Sequence, residues 1–172
     1  MDRAIDASEL DGILAGRVAA EPGGEHIWRC FACGTCTASC PVTEVTARYN
    51  PRRIIHMVLL GMADQVLTSD FVWLCSTCYA CYERCPQDVR ITELMHAIKN
   101  VAVREGYAHP SFRAQVGLIR EHGRLYDITG FENERRAELG LPALAEHPQD
   151  YRHILASTGI EALVQPVEGG AA

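Results

Sequence analysis

Two cysteine runs of identical spacing constrain this chain more than any other feature. The first run contains Cys30, Cys33, Cys36 and Cys40 and ends in Pro41. The second run follows about 45 residues later and contains Cys75, Cys78, Cys81 and Cys85, ending in Pro86. Each reads C-x2-C-x2-C-x3-C-P, and together they use all eight cysteines of the chain. Whatever binds these thiols therefore determines how the segment between the runs folds.

This spacing is the one that binds [4Fe–4S] cubanes in bacterial-type ferredoxins. The short gaps let three thiolates converge from one turn, whereas the fourth cysteine follows too closely to return, and the proline turns the chain away. In two-cluster proteins that fourth cysteine ligates the other cluster. We therefore predict two [4Fe–4S] clusters with exchanged ligands. The first is assigned to Cys30, Cys33, Cys36 and Cys85, and the second to Cys75, Cys78, Cys81 and Cys40.

Two other uses of eight cysteines are weaker alternatives. A structural zinc site normally takes two C-x2-C pairs, four ligands in all, whereas each run here already holds four cysteines. A four-disulfide scaffold requires an exported chain and is typical of smaller domains. We favour iron–sulfur clusters over both.

The composition is that of an ordinary globular chain and limits the partners. The 172 residues carry a formal net charge of −6, and no long basic run is present, which argues against a nucleic-acid partner. The N-terminus has early acids and no apolar core, so we expect no secretory signal and a cytoplasmic location. No stretch approaches the roughly 18 apolar residues that span a bilayer.

Apolar periodicity and capping residues predict helices along the whole chain. Asn50 followed by Pro51 marks a helix start, and Gly106 marks the end of a helix that begins at Ile91. The predicted segments are a helix over 2–20 that ends at residues 21–24, a helix from 51 onward, a short segment over 71–74, and helices over 91–105, 110–122 and 131–139, followed by a pair over 151–156 and 160–164. In the helix over 110–122, the side chains expected to point inward are Phe112, Val116 and Ile119. The last four residues, 169–172, are expected to fray.

The segment between the cysteine runs decides the fold class. A compact βαββαβ ferredoxin would place strands there, but the pattern is helical, and no good alternating strand occurs elsewhere. We therefore predict an all-α protein in which helices cradle two clusters. Residues 1–24 form an N-terminal helical arm, residues 25–106 the cluster-binding domain, and residues 107–172 a C-terminal helical extension. Whether the arm packs on its own domain or on a partner is left open.

Outside the runs, little points to catalysis. The seven histidines are dispersed without metal-ligand spacing, and no phosphate-binding or dinucleotide loop is present. Arg29, Arg84 and Arg90 lie next to the runs and either raise the cluster potentials or are ordinary surface arginines, the interpretation that we favour. The aromatic residues beside the second run are interpreted as packing around a cluster, with an interface as the alternative; they are Trp73, Tyr79 and Tyr82. We predict no catalytic residue in this chain.

The residues around the runs resemble the C subunit of heterodisulfide reductase. The similarity is carried by CFACGTCTASCP at residues 30–41, YNPRRII at residues 49–55 and WLCSTCYACYERCP at residues 73–86. It extends over residues 26–105, and both cysteine quartets fit the family pattern.

The resemblance implies an α-helical ferredoxin fold with two [4Fe–4S] clusters and a place in a soluble complex. In that family, the C subunit passes electrons between a flavin- and iron–sulfur-containing A subunit and a catalytic B subunit. The B subunit carries non-cubane clusters on CCG motifs and cleaves the disulfide between coenzyme M and coenzyme B. This chain has no Cys-Cys-Gly sequence, so the disulfide chemistry is expected in a partner.

Three alternative functions remain open on the sequence alone. Related complexes act in sulfur oxidation or on other disulfides. The iron–sulfur subunit of a quinone-linked dehydrogenase is a second candidate, although the C-x4-C-x2-C run of its [2Fe–2S] domain is missing here. A third is a module in which the clusters serve structure or sensing alone.

Overall fold

The computed structural model describes residues 5–144 and 148–163, and every regular element in these ranges is a helix. The α-helices are α1 (Leu14–Ala19), α2 (Thr35–Ala38), α3 (Pro41–Val45), α4 (Pro51–Leu59), α5 (Ala63–Leu67), α6 (Ala80–Glu83), α7 (Ile91–Arg104), α8 (Pro110–His122), α9 (Gly130–Glu138), α10 (Pro148–Thr158) and α11 (Ile160–Leu163). Short 3-10 turns occur at Ala7–Glu9, Ile27–Arg29 and Phe71–Leu74. The prediction of a helical chain without strands is confirmed for the described residues.

Helix α4 begins where its capping residues predicted. The side chain of Asn50 accepts a hydrogen bond of 2.9 Å from the backbone N–H of Arg53, and Pro51 occupies the first helical position, where no N–H is needed. Ile54, Ile55 and Val58 lie on one face and are at most 1% exposed. This apolar face directs α4 into the interior of the unit that holds both cysteine runs.

Helix α7 is the longest helix in the described ranges, and its buried residues belong to the same core as those of α4. Its apolar stripe is buried and consists of Ile91, Leu94, Met95, Ile98, Val101 and Ala102. Just beyond its end, Gly106 adopts a φ of +87°, the left-handed conformation that commonly terminates a helix. At 14 residues, α7 is still too short for a bilayer, and no helix in the described ranges combines the length and apolarity of a membrane span.

The N-terminal arm is not the continuous helix that we expected over residues 2–20. In its described part, the Ala7–Glu9 turn and α1 are separate, because the side chains of Asp6 and Asp11 accept hydrogen bonds from the N–H groups two residues ahead. Such local bonds compete with helix formation. Residues 2–4 lie outside the described ranges.

The arm packs on its own unit, which the sequence left undecided. Leu14 and Val18 are fully buried against α4 and α7. Two ion pairs connect the arm to the end of α7: Arg17 with Glu105, and the buried Glu21 with Arg104. The arm is therefore part of the core that supports the cysteine runs.

Replacing Gly24 by alanine is expected to lower the free energy of unfolding by about 1–3 kcal/mol, the usual cost of overpacking. A β-carbon here would overlap the backbone carbonyl oxygen of Val18 and lie 3.2 Å from the β-carbon of Ala97. Since the obstructing oxygen belongs to the backbone of α1, the turn itself would have to shift. The measurement is the midpoint of denaturant unfolding under anaerobic conditions.

The matched control is Gly16→Ala on α1, where a new β-carbon meets no described heavy atom within 4 Å. Alanine favours helix over glycine, so we expect equal or greater stability for this variant. Equal midpoints for the Gly16→Ala and Gly24→Ala variants would contradict the prediction.

The chain divides after Tyr107, and the second unit contains α8 to α11. Helix α8 matches its predicted bounds, and α8 packs against α10. Helix α9 begins with a capping box formed by Thr129 and Glu132. The predicted final pair corresponds to α10 and α11, and residue 164 of that pair lies outside the described ranges, as does the end at 169–172 that was expected to fray.

The expectation that Phe112 points inward is wrong, because its side chain is 39% exposed. Val116 and Ile119 are only partly buried. In the described part of the second unit, only Ala108 and Leu155 are buried apolar residues. A small unit buries a smaller fraction of its surface than a large one, which agrees with the partial exposure of these apolar side chains.

Candidate metal centre

The two cysteine runs adopt the same backbone conformation. Ala32 and Thr77 occupy equivalent positions and have φ values of +64° and +57°, while Gly34 and Tyr79 have +84° and +61°. In both runs a one-turn helix begins directly after the second of these residues, α2 in the first run and α6 in the second. Left-handed residues within such a turn direct backbone N–H groups into a concavity that binds anions. Each run therefore forms a loop suited to thiolates and an anionic cofactor.

The second run holds this conformation under strain. Left-handed φ is easy for glycine, which stands at position 34, but Tyr79 takes the equivalent place, and Thr77 is β-branched. Such residues cost on the order of 1–3 kcal/mol each and persist only where the surroundings hold them. Tyr79 is 44% exposed, and its ring centroid lies 5.7 Å from that of Tyr82. The left-handed backbone at Thr77 and Tyr79 is therefore explained by the loop that carries the thiols and not by packing of these two side chains.

One solvent-open hollow of about 310 Å³ collects cysteines from both runs. Its lining includes Cys30, Cys33 and Cys36 of the first run and Cys85 of the second. Cys40, the last cysteine of the first run, is not part of this lining. The remaining lining is largely apolar, with Arg52 as its one basic side chain.

The other four cysteines are brought together around Cys81. Burial raises the pKa of the Cys81 thiol, a hydrogen bond with Thr92 lowers it, and repulsion from Cys75, Cys40 and Cys78 raises it. The Thr92 hydroxyl oxygen lies 3.6 Å from the sulfur. Because this repulsion weakens with distance, Cys40 is close enough to Cys81 to act on it, as Cys75 and Cys78 of the second run do.

Tyr49 lies on the buried side of this second group of cysteines. It was not identified as a site residue from the sequence. It is 2% exposed, and its hydroxyl is within hydrogen-bonding reach of the Cys75 sulfur. Burial, this hydrogen bond and the nearby thiols all raise the pKa of Tyr49 above its usual range, so the phenol stays protonated and donates. Hydrogen bonds to ligand sulfur influence the properties of iron–sulfur sites.

The two groups of cysteines are neighbours. Burial raises the pKa of Cys36 to about 11; hydrogen bonding with Thr37 opposes the shift, and repulsion from Cys30 and Cys81 adds to it. Cys36 belongs to the first group and Cys81 to the second, and both are buried where α2 packs against α6. Cys33 and Cys78 are the exposed members of their groups.

Two further contacts reach the first group of sulfurs. The backbone N–H of Val89 donates to the Cys85 sulfur at 3.5 Å. The Thr35 hydroxyl lies 3.4 Å from the Cys33 sulfur, and its hydrogen bond is the main cause that lowers the pKa of Cys33.

The cations that the sequence singled out are engaged elsewhere. Arg29 and Arg90 approach Asp88 at 3.3 Å and 3.6 Å, and Arg90 also reaches Glu93 at 3.9 Å. These contacts, like the exposure of Arg84, fit the surface role that we favoured. The cations that do lie at the thiol groups are Arg52 and Lys99. They are distant from the cysteines in sequence, so spacing alone offered no signal.

The residues present fit a cofactor with several metal atoms. Within the described ranges, no three Cys, His, Asp or Glu side chains stand at the spacing of a single bound ion. Instead, four thiols surround a hollow with no carboxylate or histidine in its lining. Thiolates are the ligands that iron–sulfur clusters take.

Comparisons with known proteins agree with this geometry. The family described as "4Fe-4S dicluster domain" matches residues 26–89. The chain is 43% identical over 119 residues to the iron-sulfur C 2 subunit of CoB--CoM heterodisulfide reductase from Methanocaldococcus jannaschii, covering 69% of this chain and 63% of that protein. It is 53% identical over 112 residues to the C2 subunit of H(2)/formate:CoB-CoM heterodisulfide,ferredoxin reductase from Methanococcus maripaludis, covering 65% and 60%. The match thus spans less than two thirds of the length of both relatives.

A third relative is matched over more of its length. The chain is 32% identical over 149 residues to the C subunit of H(2):CoB-CoM heterodisulfide,ferredoxin reductase from Methanothermobacter thermautotrophicus, covering 83% of this chain and 80% of that protein.

Proposed function

Since the chain belongs to the family of heterodisulfide reductase C subunits, we propose that it is an iron–sulfur electron-transfer subunit of a heterodisulfide reductase complex. The observation that carries the proposal is the grouping of the cysteines. Each group takes three cysteines from one run and one from the other, and the two groups adjoin through Cys36 and Cys81.

We assign one [4Fe–4S] cluster to each group, in the arrangement of an α-helical ferredoxin. The ligands are Cys30, Cys33, Cys36 and Cys85 for the first cluster and Cys75, Cys78, Cys81 and Cys40 for the second. Such a cluster, when bound, takes up and releases one electron at a potential that its surroundings set. We propose residues 25–106 as the cluster-binding domain, residues 1–24 as an N-terminal helical arm and residues 107–172 as a C-terminal helical extension.

The chain's own residues provide a path through the unit. Exposed Cys33 and Cys78 bring each site to the surface, whereas Cys36 and Cys81 are buried and within electrostatic reach of each other. Electrons that arrive at one exposed site can therefore leave at the other. We propose that the two surfaces serve a flavin-containing A subunit and a catalytic B subunit, which reduces a disulfide such as that of coenzyme M and coenzyme B.

Anaerobic purification from the native host, with identification of the co-purifying chains, tests this function. We expect about eight iron atoms per chain, from two four-iron clusters, together with a flavoprotein and a partner that contains CCG motifs. Isolation as a lone, iron-containing monomer would refute the place in a complex. Zinc in place of iron would refute the electron-transfer role itself.

A further inference from the structure

Lys99 is the only lysine among the 16 Lys and Arg residues of the chain. It projects from α7, which packs against the Phe71–Leu74 turn that leads into Cys75. Its ammonium nitrogen lies 5.8 Å from the centroid of the Trp73 ring, within the range of a cation–π interaction. The side chain is partly buried.

The electrostatic surroundings agree with this placement. Burial lowers the pKa of Lys99, and the negative charge of Cys75 acts in the opposite direction. The ammonium is therefore within electrostatic reach of a sulfur of the second group. A charge removed from bulk water interacts more strongly with its neighbours than an exposed one, because the effective dielectric constant is lower.

We propose that Lys99 raises the reduction potential of the cluster held by Cys75, Cys78, Cys81 and Cys40. Taking up an electron adds one negative charge to that site, and a fixed cation nearby favours the added charge. Lys99 is a positioning residue in this role: the ring of Trp73 holds the ammonium, and the charge acts on the site without ligating it. The inference rests on the proposed function, since it presumes a cluster in the second group.

The cation at the first group is arranged differently. Arg52 lines the hollow, but its side chain is exposed, so water screens its charge more strongly. The two sites therefore differ in how far the cation is buried. We expect removal of each cation to change the reduction potential of a different cluster.

Potentiometric titration of the full-length, anaerobically purified chain, followed by EPR, tests the proposal. In Lys99→Met we expect one of the two midpoints to fall, with about a tenfold loss in the equilibrium constant for reduction, or ~59 mV for one electron. Lys99→Arg keeps the charge and should retain most of the wild-type value. Arg52→Met should lower the other midpoint by less. Arg135→Met, which removes one charge from α9, is the matched control and should change neither midpoint.

The outcomes separate this inference from the proposed function. A Lys99→Met protein with full iron content and both midpoints unchanged would overturn the role of Lys99 and leave the function intact. A wild-type chain without two reversible midpoints would instead refute the function. If Lys99→Met loses iron, acetylation of the assembled wild-type protein provides the neutral side chain, with acetylated Lys99→Arg as control. An unshifted midpoint after acetylation would equally overturn the role of Lys99.

Discussion

In a chain that carries both Cys33→Ala and Cys85→Ala, we expect about four iron atoms to remain, against about eight in the wild type. Both cysteines line the same hollow although they belong to different runs. If both cysteines ligate the same cluster, either substitution alone removes that cluster. The second substitution then causes no further loss of iron. The measurement is iron and sulfide content of anaerobically purified protein, with the remaining cluster monitored by EPR.

The matched variant pairs Cys85→Ala with Cys78→Ala, two cysteines of the same run. Under exchanged ligation these residues serve different clusters, so this chain should lose nearly all its iron. Cys40→Ala with Cys78→Ala should again keep about four iron atoms, since repulsion at Cys81 places both in the second group. Ligation within each run predicts the reverse of all three results, so the set discriminates cleanly between the two arrangements.

Removal of iron is expected to unfold both cysteine loops. The loops hold Thr77 and Tyr79 in left-handed conformations and bury the mutually repelling Cys36 and Cys81, and bound metal offsets these costs. When metal binding is coupled to folding, it contributes on the order of 10 kcal/mol in zinc-finger peptides. Amide hydrogen exchange should therefore show at least about a hundredfold loss of protection in α2 and α6.

Oxidative destruction of the clusters in the presence of a chelator produces the iron-free chain for this measurement. Chelator without oxidant is the control, and α8 and α10 of the second unit serve as an internal reference. Reconstitution with iron and sulfide should restore protection. If amide exchange in α2 and α6 is unchanged after complete loss of iron, the loops are preformed. The coupling of folding to metal binding is then disproved.

Local signals in the sequence were reliable where the interactions that they describe are themselves local. Asn50 and Pro51 start α4 because a cap needs only the residues of the first turn, and α8 begins at Pro110 for the same reason. The buried stripe of α7 follows from helical periodicity alone. The N-terminal arm is not the predicted continuous helix, because aspartate side chains accept local hydrogen bonds that apolar periodicity does not predict.

The cysteine spacing predicts the kind of metal site, since three thiols at x2 gaps followed by Cys-Pro are typical of [4Fe–4S] ligands. The surroundings of the thiols could be found only from the folded structure. Cys85 reaches the first run across more than forty intervening residues, Tyr49 meets Cys75, and Lys99 reaches Trp73 only because α7 packs beside the turn that leads to the second run. Spacing along the chain specifies which thiols can share one turn. The burial and charge that tune an electron carrier arise from contacts between residues distant in sequence, and those exist only once the helices have packed.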